Sequence, residues 1–166
     1  PVPLPLPMNL GGHDPYVQRI ARMIESAGAV AAVAPDEFSG FLKEAVAGLP
    51  VQMAGTPDDF NALPEDGVEL RPFGKDDLCY IQYSSGSTCF PRGVTISQRA
   101  ALSNMGSIIR HGLEVRPGDR GVSWLPLYHD MGLVGFALAP MVCQMSTDFI
   151  ATSDFVRRPL LWPKVL

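Results

Sequence analysis

The stretch Tyr83-Ser84-Ser85-Gly86-Ser87-Thr88-Cys89-Phe90-Pro91-Arg92-Gly93 decides how this chain is read. An apolar run, Leu78 to Tyr83, leads into it and predicts a strand; Gly93 to Ile96 leaves it and predicts the returning strand. Between the two, Ser84, Ser85, Ser87 and Thr88 crowd hydroxyls around Gly86, and the cation Arg92 follows. Glycine lets a backbone approach an anion closely, and N–H groups in a tight loop form an anion nest. Hydroxyls add neutral donors, and the planar guanidinium fork suits phosphate oxygens. These residue types point to a polyphosphate. A flexible Ser/Gly surface loop is the plainer alternative, and the flanking strands with Pro91-Arg92-Gly93 between them weigh against it. The segment is not a Walker loop, since no GxxxxGKS/T occurs.

Upstream, Pro1 to Pro7 alternates Pro with Val or Leu. Proline fixes φ and cannot donate to a ladder, so an extended connector or edge segment is expected, with a proline-rich ligand as the alternative. Asp14-Pro15 predicts a helix start, with Asp14 as its cap; Tyr16, Ile20, Met23, Ile24 and Ala27 share a face, and Gly28 ends it. A short strand follows over Ala29 to Ala34. A second helix opens at Pro35-Asp36-Glu37, with Phe38, Phe41, Leu42 and Ala45 inward and Gly48 at its end. A further strand spans Val51 to Met53. This β-α-β-α-β alternation predicts an α/β fold, a mostly parallel sheet flanked by helices.

Residues 54–77 read as a polar loop, so the chain is expected to divide into 1–75 and 76–166, two portions of one domain. Beyond the Ser/Gly segment, a helix is expected over 97–111, with Ala101, Leu102, Met105, Ile108 and Ile109 on one side. A turn at Arg116 to Asp119 precedes a strand over Val122 to Leu125. Leu127 to Asp130 is a loop, Met131 to Cys143 a largely buried helix, and Asp148 to Ala151 a strand. Both ends read as cut: the first residue is Pro, and Pro159 to Leu166 begins like an amphipathic helix and stops. An open sheet and exposed apolar surface are therefore expected.

A second segment narrows the reading: Ser123-Trp124-Leu125-Pro126-Leu127-Tyr128-His129-Asp130-Met131-Gly132-Leu133. Taken alone it is a polar turn at the head of a helix, with Asp130 as the cap. Taken with the first segment, it resembles a core motif of the adenylate-forming superfamily, in the Leu-Pro-x-x-His-Asp-Met-Gly-Leu form of fatty acyl-AMP ligases. The first segment is similar to that superfamily's phosphate loop, Ser/Thr-Ser-Gly-Ser/Thr-Thr-Gly-x-Pro-Lys-Gly, with Cys89 in place of Gly and Arg92 in place of Lys. The opening Pro-Val run is also similar to the family's, so the resemblance covers essentially the whole chain.

The resemblance implies part of the N-terminal domain of an AMP-forming ligase, which uses ATP to convert a fatty acid to acyl-adenylate and releases pyrophosphate. It implies that Ser84, Ser85, Gly86, Ser87, Thr88, Arg92 and Gly93 hold the ATP phosphates, with Mg2+ sharing their charge. It implies that His129 acts at the place where carboxylate and α-phosphate meet, and that His129, Asp130, Met131 and Gly132 border the acyl pocket. Met131, Leu133 and Phe136 are candidates for the acyl tunnel, and core packing is the plainer role for each. The family's adenine, ribose and Mg2+ residues and its catalytic Lys would lie beyond Leu166, so the chain alone is expected to be inactive. An acyl carrier protein and CoA both stand as acceptors in the parent enzyme. A fragment of an acyl-CoA synthetase, and a non-catalytic nucleotide- or partner-binding α/β module, remain the alternatives.

The bulk properties exclude other classes. The chain has 166 residues and a net charge of −4. An acidic balance without clustered Lys and Arg argues against nucleic acid. No apolar run is long enough to cross a bilayer, and Pro1 to Pro7 lacks the basic residue and cleavage pattern of a signal peptide. Cys79, Cys89 and Cys143 are odd in number and widely spaced, with no CxxC and no His at ligand spacing, so neither a disulfide framework nor a metal site is expected. A reduced, cytoplasmic setting follows. His13 is expected in a loop and His111 near a helix C-terminus. No GxSxG marks Ser84 or Ser87 as a hydrolase nucleophile.

Overall fold

The computed structural model describes residues 1–6, 12–64, 67, 69–84 and 91–165. Six strands are described: β1 (Ala31–Val33), β2 (Met53–Gly55), β3 (Leu78–Tyr83), β4 (Gly93–Ser97), β5 (Arg120–Ser123) and β6 (Ser146–Phe149). The α-helices are α1 (His13–Ser26), α2 (Ser39–Val46), α3 (Pro57–Asn61), α4 (Gln98–Ser107), α5 (Ala139–Cys143), α6 (Thr152–Arg157) and α7 (Trp162–Val165). The architecture is α/β, and its strands form three pairs, β1 with β2, β3 with β4 and β5 with β6. The first and third pairs are parallel, with Ala31 opposite Met53 and Arg120 opposite Ser146. Each needs a crossover, because parallel neighbours cannot be joined by a tight turn. In the middle pair, Ser84 N–H donates to Arg92 and Gln98 N–H to Asp77 at opposite ends, so β3 and β4 run antiparallel as a hairpin.

The chain divides into two compact units, Pro1–Phe73 with Tyr83–Thr95, and Gly74–Gln82 with Ile96–Leu166. In the first unit, α1 and α2 close over Tyr16, Ile20, Met23, Ile24, Leu42 and Ala45, with Phe41 and Tyr83 against that core. Tyr16, Ile20, Met23 and Ile24 follow at steps of four, three and one, with Ile24 also four from Ile20, so one stripe of the helix is buried. Removing one such large side chain from water is worth about 1.5–3 kcal/mol. Gly28 ends α1 at φ +61, a conformation that costs a side-chain-bearing residue energy. Gly12, not Asp14, occupies the cap of α1, and Asp14 lies inside the first turn, where its charge meets the helix dipole. His13 is the first helical residue rather than a loop residue, and its ring reaches Glu44 at 3.3 Å.

Two expectations need correction. Pro1 to Leu6 is extended but joins no described strand pair, so the first unit holds a single β1-α2-β2 crossover rather than three strands. The stretch 54–77 is not all loop. It contains α3, closed by a capping box in which Thr56 and Asp59 each satisfy the other's backbone N–H. These hydrogen bonds hold the Asp59 carboxyl below its ordinary pKa. A side chain on Gly55 would meet Asp59 at 2.7 Å, so the cap depends on that glycine.

In the second unit, Tyr80, Ala101, Met105, Val134 and Ala139 form the core, with Cys79, Ile96, Ile108 and Leu138 around it. Leu102 is 55% exposed, so the inward stripe of α4 is narrower than its apolar residues suggest. The expected helix over 131–143 is a π-helical segment, Met131–Leu138, that continues as α5. It is not largely buried throughout, since Met131 and Met141 face outward at 59% and 74% exposure. Beside β5, Trp124 stacks on Phe155 with ring centres 4.0 Å apart, and Trp162 meets Phe155 edge-on. Apolar surface is open in both units: Leu70, Phe73, Val156 and Leu160 are all strongly exposed. Among the described residues, no helix is long and apolar enough to cross a membrane.

Candidate functional site

Two turns carry the residues singled out above, and each follows the carboxyl end of a strand, β3 and β5.

The first turn belongs to the first unit. Ser84 N–H donates to the Arg92 carbonyl at 3.0 Å, and Arg92 N–H donates back to Ser84 Oγ at 3.2 Å. This reciprocal pair closes the neck of the Ser/Gly segment, and Pro91, next to Arg92, is buried. Ser84 Oγ accepts there, so its own proton remains available to an outside acceptor. The Arg92 side chain makes no hydrogen bond or ion pair with any described residue, and Ser84, Arg92 and Gly93 are exposed. Ser85, Gly86, Ser87, Thr88, Cys89 and Phe90 lie outside the described residues. Immediately before the neck, the Tyr83 hydroxyl donates to the Met23 carbonyl at 2.7 Å and shares a short hydrogen bond with Ser26 Oγ. The end of β3 is thereby fastened to the last turn of α1.

The second turn belongs to the second unit. His129 N–H donates to the Pro126 carbonyl at 3.0 Å, and Leu133 N–H donates to the His129 carbonyl at 2.9 Å. Asp130 caps the following helical segment, accepting from Met131 N–H at 2.7 Å. His129 Nδ1 stands 2.8 Å from Asp130 Oδ1 and 3.3 Å from Met131 N. One nitrogen cannot both donate to Asp130 and accept from Met131. The shorter contacts assign the Met131 proton and the Nδ1 proton to Asp130, which leaves His129 Nε2 without a partner among the described residues. The ring is about half exposed.

Gly132 makes this turn possible. A Cβ there would lie 2.3 Å from the Pro126 carbonyl oxygen and 3.1 Å from that of Leu125. Ser123 at the end of β5 is fully buried, and its Oγ accepts from Leu125 N–H at 3.1 Å, starting the bend. Met131 points outward, while Leu133 packs on the second unit's core. Tyr80 below the turn has its pKa raised by burial, with the charges of Cys79 and Asp130 adding to the effect.

Gln82 was not marked by sequence reasoning. Its Nε2 donates to the Tyr128 carbonyl at 2.9 Å, within the second unit. The available signal was a lone amide inside the otherwise apolar or aromatic run Leu78 to Tyr83. Among the described residues, no cluster of three or more His, Cys, Asp or Glu side chains is arranged to hold a metal.

A chain with this α/β architecture and these two turns is that of an adenylate-forming enzyme. The family described as AMP-binding enzyme matches residues 7–166, and the chain belongs to it. It is 45% identical over 163 residues to a putative acyl-CoA synthetase of Caulobacter vibrioides, covering 98% of this chain and 28% of that protein. It is 42% identical over 110 residues to the long-chain-fatty-acid–AMP ligase FadD32 of Mycolicibacterium smegmatis, covering 64% of this chain and 17% of that one. A solved structure from work on fatty acyl-adenylate ligases of E. coli and L. pneumophila superposes with a TM-score of 0.90 at 43% identity, covering 98% of this chain and 29% of that chain. The chain thus spans less than a third of the length of each. Its relatives are AMP-forming ligases, and enzymes of that class use ATP.

Proposed function

We propose that this chain supplies the phosphate loop and the acyl-adenylate turn of a fatty acyl-AMP ligase. A fatty acid carboxylate oxygen attacks the α-phosphorus of ATP. The bond from that phosphorus to the bridging oxygen breaks, pyrophosphate leaves, and acyl-AMP remains. The carboxylate is itself the nucleophile, so no general base is needed, and catalysis is alignment with charge neutralisation. Ser84, Ser85, Gly86, Ser87, Thr88, Arg92 and Gly93 hold the phosphates. His129 presents its Nε2 where carboxylate and α-phosphate meet, and Asp130, Met131 and Gly132 shape the border of the acyl site. The observation that carries this reading is the closed neck at Ser84 and Arg92, in which the Ser84 hydroxyl proton and the Arg92 guanidinium have no partner among the described residues.

Mg2+ accompanies ATP in this reading. Among the described residues no cluster of His, Cys, Asp or Glu is arranged to hold it. The acceptor of the acyl group is a carrier-protein thiol or CoA. The Caulobacter relative, described as an acyl-CoA synthetase, favours CoA as the second reading. The free thiols of Cys79 and Cys143 support a reduced, cytoplasmic setting.

The test is fatty-acid-dependent ATP–pyrophosphate exchange with a medium-chain and a long-chain acid, run on this chain and on the full-length gene product in parallel. Exchange by the full-length protein that requires the fatty acid is the expected result. Its absence with every acid tried would sink the reading.

A further inference from the structure

We propose that Gln82 is a positioning residue for His129. The inference rests on the acyl-adenylate reading above and names a residue that reading does not use. Gln82 is the last residue but one of β3, and its side chain is half-buried. The peptide unit joining Tyr128 to His129 is held at both ends: its carbonyl accepts from Gln82 Nε2 at 2.9 Å, and its N–H donates to the Pro126 carbonyl at 3.0 Å. A peptide unit is a rigid plane. Two hydrogen bonds from opposite sides therefore fix its rotation, and with it the direction in which the His129 side chain leaves the backbone.

The remaining anchors of the turn act further along the chain. The Gly132 approach, the Asp130 cap and the Leu133 hydrogen bond all hold the segment after His129. Among the described side chains, Gln82 alone donates from another element to the stretch between Pro126 and Leu133; Thr152 Oγ1 of α6 donates to the Trp124 carbonyl just before it. A hydrophobic residue would suit the half-buried strand position equally well for packing, and only a donor reaches the carbonyl. The amide also joins β3 to the turn that bears His129, and Gln82 and that turn both lie within the second unit. A residue of that kind governs the rate of the aligned step more than the affinity for ATP.

The test uses the full-length enzyme and three proteins: wild type, Gln82→Leu and Gln82→Lys. Leu keeps size without a donor, whereas Lys keeps a donor on a flexible stem of similar reach. Gln82→Leu is expected to lower kcat for acyl-adenylate formation on the order of tenfold or more, with the KM for ATP within about twofold. Gln82→Lys is expected to stay within about threefold of wild type. Thermal midpoints of all three are measured alongside. Equal kcat in wild type and Gln82→Leu would overturn the proposal. So would a loss that Lys does not rescue and that follows a lowered midpoint, since that is what a packing role produces. A wild-type enzyme that makes no acyl-adenylate overturns the functional reading itself and this role with it, so the two failures are told apart by the wild-type arm.

Discussion

The two turns solve the same problem by opposite means. The Ser84–Arg92 neck is held by two hydrogen bonds at an exposed site, one of them to Ser84 Oγ, and the Arg92 side chain has no partner among the described residues. The His129 turn is held by close backbone packing at Gly132, by a cap and by a side chain from β3. In the proposed function the difference follows from what each turn would do. In the proposed function the first turn holds a polyphosphate, which calls for donors that an anion can take up. A turn that aims one side chain at a reacting centre needs a backbone with little freedom, because small displacements there cost rate.

The comparison breaks most sharply at Gly132. Gly132→Ala forces a methyl group into the Pro126 carbonyl, and destabilisation of about 1–3 kcal/mol is expected from overpacking. Chemical denaturation of this chain reads it directly. A variant as stable as wild type would mean that the turn is looser than its packing implies. Next in size is Arg92→Ala, which removes a side chain with no described partner. ATP affinity in the full-length protein is expected to fall about tenfold to a hundredfold, the range for charge-assisted hydrogen bonds, with the thermal midpoint unchanged. Arg92→Lys should recover most of the loss. A drop in midpoint instead would show that Arg92 holds the fold rather than an anion. The smallest effect belongs to Ser84→Ala. It removes the acceptor of Arg92 N–H, costs about 0.5–1.5 kcal/mol at most and should speed amide exchange at Arg92 more than at Ser84, whose N–H keeps the Arg92 carbonyl.

Much of the fold was legible because its periodicities are strong. The inward stripe of α1, the strand Leu78 to Tyr83 and the turn at Arg116 to Asp119 all rest on local patterns that packing then reinforces. The stretch 54–77 misled because its Pro and Asp residues look like loop formers, whereas Thr56, Pro57 and Asp59 stand where a helix start requires them. The segment after His129 misled in the other direction. Uniform apolarity suggested burial, but a helix that lies on one core exposes its far side, and Met131 and Met141 fall there.

The sequence by itself determined the residue types at the two turns, their order along the chain and the α/β alternation, since each is a matter of composition and spacing. Tertiary structure alone decided which of those residues are committed and which are free. Ser84 Oγ is an acceptor in the neck while Arg92 keeps its guanidinium unpaired among the described residues. Gly132 is required by a carbonyl six residues earlier, not by its own conformation. Gln82 reaches Tyr128, 46 positions away, through a hydrogen bond that no local pattern encodes. Hydrogen-bond partners and steric contacts depend on distance in space, and only the folded chain sets those distances.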